Sequence, residues 1–241
     1  MKIRITNDYD ELSRKAFEII KEVVKSKPYA VLGLATGTTP LGLYRHMIED
    51  HKTHGTSYAH IRTVNLDEYK GLPKNHVESY AYFMHENLFK HLDIEASNTY
   101  IENGMASDER AECEGYNKLL EDMPRDIQLL GLGSNGHIAF NEPNTPFGSE
   151  THVVDLTENT IKDNARLFAD ISEVPKKAFT MGIRQIMQAK QILILASGKN
   201  KADAVFKTVC GKITEEVPAS VLQLHPNCTL IADKEAAEYI K

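Results

Sequence analysis

Two adjacent carboxylates, Asp67 and Glu68, follow the apolar stretch 61–65, and a histidine and a glutamate, His137 and Glu142, bracket a short apolar segment after a glycine-rich turn. A desolvated carboxylate at a strand end suits abstraction of a proton α to a carbonyl, because burial raises its pKa towards working pH. An extended backbone sends neighbouring side chains to opposite sides, so at most one of the pair is catalytic; the other faces solvent or caps a turn. A solvated acidic loop is the alternative. The imidazole of His137 is suited to shuttling a proton, with Glu142 orienting and polarising it. A satisfied core histidine fits the same residues. A metal site is the weaker alternative, since two ligands without a third make neither a zinc nor an iron centre.

A third cluster reads Ala35-Thr36-Gly37-Thr38-Thr39-Pro40 between a strand pattern and a helix pattern. Thr39 is expected to cap the helix and Pro40 to occupy its first position. The N–H groups of Gly37, Thr38 and Thr39, backed by the helix dipole, would then form an anion cradle suited to phosphate. An ordinary capped turn reads the same way. The lysine of a nucleotide triphosphate loop is missing.

The elements that must position these loops alternate. Strand patterns cover residues 1–6, 29–34, 61–65, 127–131, 191–196 and 229–232; helix spacing covers 9–25, 41–49, 79–88, 108–121 and 201–209. This predicts an α/β, single-domain, Rossmann-like fold over residues 1–241: a mostly parallel sheet with helices on both faces. Ligands of such sheets bind outside the carboxyl ends of the strands, where all three loops fall. Gly131-Leu132-Gly133-Ser134-Asn135-Gly136 matches the dinucleotide fingerprint in letters, but Pro143 and Pro146 interrupt the long helix that fingerprint requires, which excludes a nicotinamide site.

Composition removes other classes. A chain of 241 residues with 41% hydrophobic and 26% charged residues buries a core without cofactor or disulfide staples. No apolar run approaches membrane-span length. The formal charge of −6 argues against nucleic acid as a partner. Cys113, Cys210 and Cys228 suggest reduced structural thiols, and the opening strand without a signal-like apolar segment suggests a cytoplasmic protein.

Taken in order, Asn65-Leu66-Asp67-Glu68-Tyr69, Gly131-Leu132-Gly133 and the run from Gly136 to Pro143 resemble the glucosamine-6-phosphate deaminase family, over nearly the whole chain. The resemblance implies conversion of glucosamine 6-phosphate and water to fructose 6-phosphate and ammonia, an aldose–ketose isomerisation coupled to C–N hydrolysis, with no metal or cofactor. It assigns Asp67 as the base between C2 and C1, and His137 with Glu142 to ring opening. The phosphate would be held by Thr36, Gly37, Thr38, Thr39, Arg166 and Lys201, with Lys199 as a rival. Many relatives carry Asp where this chain has Asn135; an amide can still orient the imidazole but leaves charge stabilisation to Glu142. The chain also ends without the longer carboxyl-terminal tail of hexameric, allosterically activated relatives, so a monomer or small homo-oligomer is expected. The other readings are a 6-phosphogluconolactonase-like hydrolase, which would leave Asp67 no C2 proton to take, and a sugar-phosphate-sensing module, which would need a DNA-binding segment before the first strand. Residues 143–148 are read as either a lid or a rigid loop.

Overall fold

The computed structural model describes residues 1–156, 170 and 174–240. In chain order the elements are β1 (Lys2–Thr6), α1 (Tyr9–Ser26), β2 (Val31–Leu34), α2 (Leu41–His54), β3 (Arg62–Asn65), β4 (Asp67–Tyr69), α3 (Tyr80–Asn87), β5 (Thr99–Tyr100), α4 (Glu109–Asp122), β6 (Ile127–Gly131), β7 (His152–Asp155), β8 (Lys177–Thr180), α5 (Ile183–Met187), β9 (Ile192–Ala196), α6 (Ala202–Cys210) and β10 (Cys228–Asp233). Every strand and helix expected from the sequence is present within a few residues. The strands β4, β5, β7 and β8 and the short helix α5 are additions.

Seven strands form one parallel sheet in the order β1-β10-β9-β6-β2-β3-β5. Its central members carry continuous apolar runs such as Ile192-Leu193-Ile194-Leu195-Ala196, all buried, as a sheet covered on both sides demands. Connections through α1, α2 and α3 advance towards the β5 edge, whereas those through α4, α5 and α6 return towards β1. Right-handed crossovers therefore place the first three helices on one face and the last three on the other. The direction reverses between β2 and β6, which opens a crevice at their carboxyl ends.

Local signals explain the helix starts. Asp8 caps α1 by accepting the Glu11 N–H at 2.9 Å, and Leu12, Ala16, Ile20 and Val24 turn one stripe of that helix into the core. Asp108 caps α4 in the same way through Ala111 N–H at 3.0 Å. A second, antiparallel sheet of order β4-β8-β7 stands beside the first and receives the chain as it leaves β3. No helix among the described residues is long and apolar enough to cross a membrane.

Candidate active site

The sheet order puts the carboxyl ends of β9, β6, β2 and β3 side by side, and each ends in a loop carrying functional side chains. At β3 the chain switches sheets. The Leu66 carbonyl accepts from Met181 N–H at 2.7 Å, and the next residue, Asp67, pairs with Thr180 in the small sheet. This switch buries Asp67 to 7% exposure. Burial, reinforced by the charge of Glu68, raises the Asp67 carboxyl to about 8. Both carboxylates are buried, so the solvated-loop reading is set aside.

Glu68 does the structural half of the work. It is 1% exposed, and its carboxylate accepts from Tyr69 N–H at 2.8 Å and from Tyr80 and Ala81 N–H at 2.9 Å each. The last two belong to the first turn of α3, so Glu68 satisfies donors that a helix start leaves free. The expectation that one member of the pair caps a turn is met. α3 in return sets an aromatic wall near Asp67: the Tyr69 and Tyr80 rings lie 4.6 Å apart, Phe140 stacks on Tyr80 at 6.1 Å, and burial, with a smaller contribution from the Asp67 charge, raises both phenols.

After β6 the glycine-rich loop folds tightly. His137 carbonyl accepts from Gly133 N–H at 2.9 Å, and Gly136 sits at φ 88°, a conformation that favours glycine. A Cβ on Gly133 would fall 2.4 Å from the His137 ring, so only glycine leaves the imidazole its place. His137 Nδ1 is 3.5 Å from Glu142 Oε1, an ion-pair distance rather than a hydrogen bond. Asn135 donates from Nδ2 to Glu142 Oε2 at 2.7 Å, and its Oδ1 accepts from His137 N–H at 3.1 Å. The amide thus meets the imidazole through Glu142 and the backbone. No helix follows Gly136, as the two prolines required. Instead Ala139 takes φ 52°, and Phe140 N–H donates to Thr180 Oγ1 at 3.1 Å. Thr180 therefore fastens the His137 loop to the strand that carries Asp67.

After β2, Gly37 adopts φ 91° and exposes its backbone together with Thr38. Among the described residues no acceptor takes the N–H groups of Gly37, Thr38 or Thr39. The expected cap differs: Pro40 holds the cap position of α2 with no side-chain bond, and Thr39 caps nothing. The reason is long-range. Tyr9 of α1 reaches in, its hydroxyl accepting Gly42 N–H at 2.8 Å and lying 3.1 and 3.0 Å from the Thr38 and Thr39 carbonyls. Tyr9→Phe should leave the fold intact, cost about 1 kcal/mol in thermal or urea unfolding, and raise KM for a phosphorylated substrate by roughly three- to tenfold with kcat little changed.

After β9, Asp233 holds the turn before the lysines by accepting from Ser197 Oγ at 2.5 Å and Gly198 N–H at 2.9 Å. Lys199 points outward, 75% exposed and 3.7 Å from Glu238, whereas Lys201 is half-buried at the start of α6. Arg166 lies outside the described residues.

Residues 7–231 match the model of the family described as glucosamine-6-phosphate isomerases/6-phosphogluconolactonase. The chain belongs to that family. It is 52% identical over all of its 241 residues to a glucosamine-6-phosphate deaminase of Thermoanaerobacter pseudethanolicus, covering 95% of that protein. It is 50% identical to the deaminase of Halalkalibacterium halodurans, covering 100% of this chain and 98% of that one. The solved structure of a monomeric glucosamine-6-phosphate deaminase superposes with a TM-score of 0.96 at 51% identity, covering 99% of both chains. A 6-phosphogluconolactonase from Trypanosoma brucei, at TM-score 0.83 and 21% identity over 100% of this chain and 98% of that one, shares the fold.

Within this member of the glucosamine-6-phosphate isomerase/6-phosphogluconolactonase family, one supporting residue carries no local sequence signal. Glu215 lies after α6, and its backbone carbonyl accepts from Asn144 N–H at 2.7 Å while its Oε1 accepts from Phe147 N–H at 2.9 Å. Val217 Cγ1 also packs where a Cβ on Gly136 would fall, at 2.7 Å. With Thr145 N–H and Oγ1 both donating to the Glu142 carbonyl, residues 143–148 form a braced loop. Glu215→Ala should lower kcat by roughly five- to tenfold through a loosened Glu142, while Glu215→Gln, which keeps the acceptor, should stay near the parent in the same assay.

Proposed function

We propose that this chain is a glucosamine-6-phosphate deaminase, converting D-glucosamine 6-phosphate and water to D-fructose 6-phosphate and ammonia. The observation that carries the reading is Asp67: a buried carboxyl beside an aromatic wall, raised to about 8, with no cation among the described residues offsetting it. Such a group is a base for a carbon acid, which lactone hydrolysis does not require. The relatives at half identity over full length, named as deaminases, support the same choice.

The phosphate is held by the Thr36–Thr39 backbone and hydroxyls, Lys201 and Arg166, a dianion met by dipoles and cations. His137, kept against Glu142 by Asn135, shuttles the anomeric hydroxyl proton to the ring oxygen and opens the pyranose. Asp67 then removes the C2 proton while a proton of the C2 ammonium passes to O1, giving an enolamine, and Asp67 returns its proton to C1, leaving an iminium at C2. Water adds at C2 and ammonia departs. The substrate's own C2 ammonium, arriving beside Asp67, favours the carboxylate form that the first proton transfer needs. The route draws on no metal or cofactor. Residues 1–241 act as one domain, in the cytoplasm, as a monomer or small homo-oligomer; a sedimentation mass of a hexamer would contradict the last point.

The test is release of ammonia and fructose 6-phosphate from glucosamine 6-phosphate with chelator present. Stoichiometric release of both supports the proposal. Hydrolysis of 6-phosphogluconolactone without ammonia release from the amino sugar would overturn it.

A further inference from the structure

We propose that the cavity between α3 and β5 is a second binding site, built for a small organic anion with an apolar body. This inference goes beyond the deaminase reading and does not depend on it.

The cavity has a volume of about 560 Å³, within the range that holds a drug-sized or metabolite-sized molecule. Its floor and one wall are apolar, formed by Met84 and Phe89 of the α3 region and by Tyr100 and Ile101 at the edge of the sheet. Its charged members are basic: Lys74 and Lys90, with His85, are at the lining beside the neutral Asn65, Thr99 and Tyr100, and no aspartate or glutamate is among the lining residues. The whole chain carries 34 acidic against 28 basic residues, so a lining with cations and no acid departs from its surroundings. Glu86 lies outside the lining, bonded to Lys90 at 2.5 Å and 3.9 Å from His85, whereas Lys74 has no such acidic neighbour outside the lining among the described residues and lies within electrostatic reach of the buried Glu68. At the inner end is Asn65, 1% exposed, whose side-chain amide nitrogen has no hydrogen-bond partner. A buried amide without an acceptor costs free energy that an anionic oxygen of a ligand would recover.

The same lining disfavours a second sugar. Sugar sites supply carboxylates for the hydroxyl protons of a polyol, whereas this lining has no carboxylate and is largely apolar. A planar or acyl body with one carboxylate, sulfonate or phosphate fits both halves. Its position has a consequence for the catalytic strand: Asn65 is two residues from Asp67, and Ala81, also in the lining, donates its N–H to Glu68.

The experiment uses 1-anilinonaphthalene-8-sulfonate, a fluorescent aromatic sulfonate, titrated into the full chain, with its neutral relative N-phenyl-1-naphthylamine alongside. One sulfonate should bind per chain, more tightly than the neutral probe, and saturating glucosamine 6-phosphate should not displace it. Lys74→Glu, checked for folding by circular dichroism, should weaken the sulfonate about tenfold and leave the neutral probe unchanged, the effect of reversing one partly screened charge. Ala96→Trp, at the exposed rim, should weaken both probes. Displacement by glucosamine 6-phosphate would assign the probe to the catalytic crevice and overturn the proposal. So would binding indifferent to both substitutions, no binding at all, or a neutral probe that binds as well as the sulfonate.

Discussion

Asp67→Asn should give a folded protein whose ammonia release is lower by about three orders of magnitude, the scale of losing a positioned general base. KM should change far less, because Asp67 is not among the groups proposed to hold the phosphate. In the parent, kcat/KM should climb with pH through about 8 on the limb set by the Asp67 carboxyl, and the same limb should vanish from the residual activity of the variant. The stability effect has the opposite sign. The ordinary carboxyl value is 3.8 and the buried one about 8, so the native state holds this proton where the unfolded chain has released it. Stability from this group is therefore complete below the ordinary value and lost as pH rises through about 8. An amide has no proton to lose. Asp67→Asn should melt at a higher temperature than the parent above pH 8, and the two curves should converge in acid. A variant that is both inactive and less stable in alkali would refute the account of burial as the source of the shift.

Gly133→Ala should be nearly as damaging to turnover by a different route. The added methyl would lie 2.4 Å from the His137 ring, and a half-exposed ring yields more cheaply than the buried loop backbone beneath it. The imidazole swings away from Glu142, and misplacing a catalytic group by an ångström or more costs about a hundredfold or more. The melting temperature should fall only slightly, since the ring moves into solvent instead of straining the core. Comparing the open-chain isomerisation with overall turnover locates the loss: if His137 opens the ring, a substrate analogue already in open form should be processed with much less impairment. Equal impairment on both would remove His137 from ring opening.

The loops of the candidate site were legible because their signals are local. A strand ending in Asn65-Leu66-Asp67, glycines at 131, 133 and 136, and prolines at 143 and 146 constrain the backbone within a dozen residues. The parallel sheet was legible from apolar runs such as 191–196, buried on both faces. What escaped depends on partners distant in sequence. β4, β7 and β8 are three or four residues long and acquire strand geometry only by pairing with one another, as Asp67 does with Thr180. The phosphate loop was expected to cap its own helix from Thr39, yet Tyr9 supplies that bond from another helix. Glu215 reads as a surface glutamate in a polar turn, and its link to the Glu142 loop exists only in three dimensions. Asn135 was legible as a neighbour of His137, but the sequence did not show that it would hold Glu142.

The pairing of β1 with β10 sets a schedule for biosynthesis. Lys2 faces Thr229 and Thr6 faces Asp233, so β1 finds its neighbour only after all the residues between them have been made. Until then Ile3 and Ile5, still 43% and 48% exposed in the finished molecule, lie on a segment with no partner, and the interval rewards charges that discourage pairing with other nascent chains. Lys2 and Arg4 alternate with those isoleucines along the edge. Replacing the two cations would be felt less in the melting temperature of purified protein than in the fraction recovered soluble at high rates of synthesis.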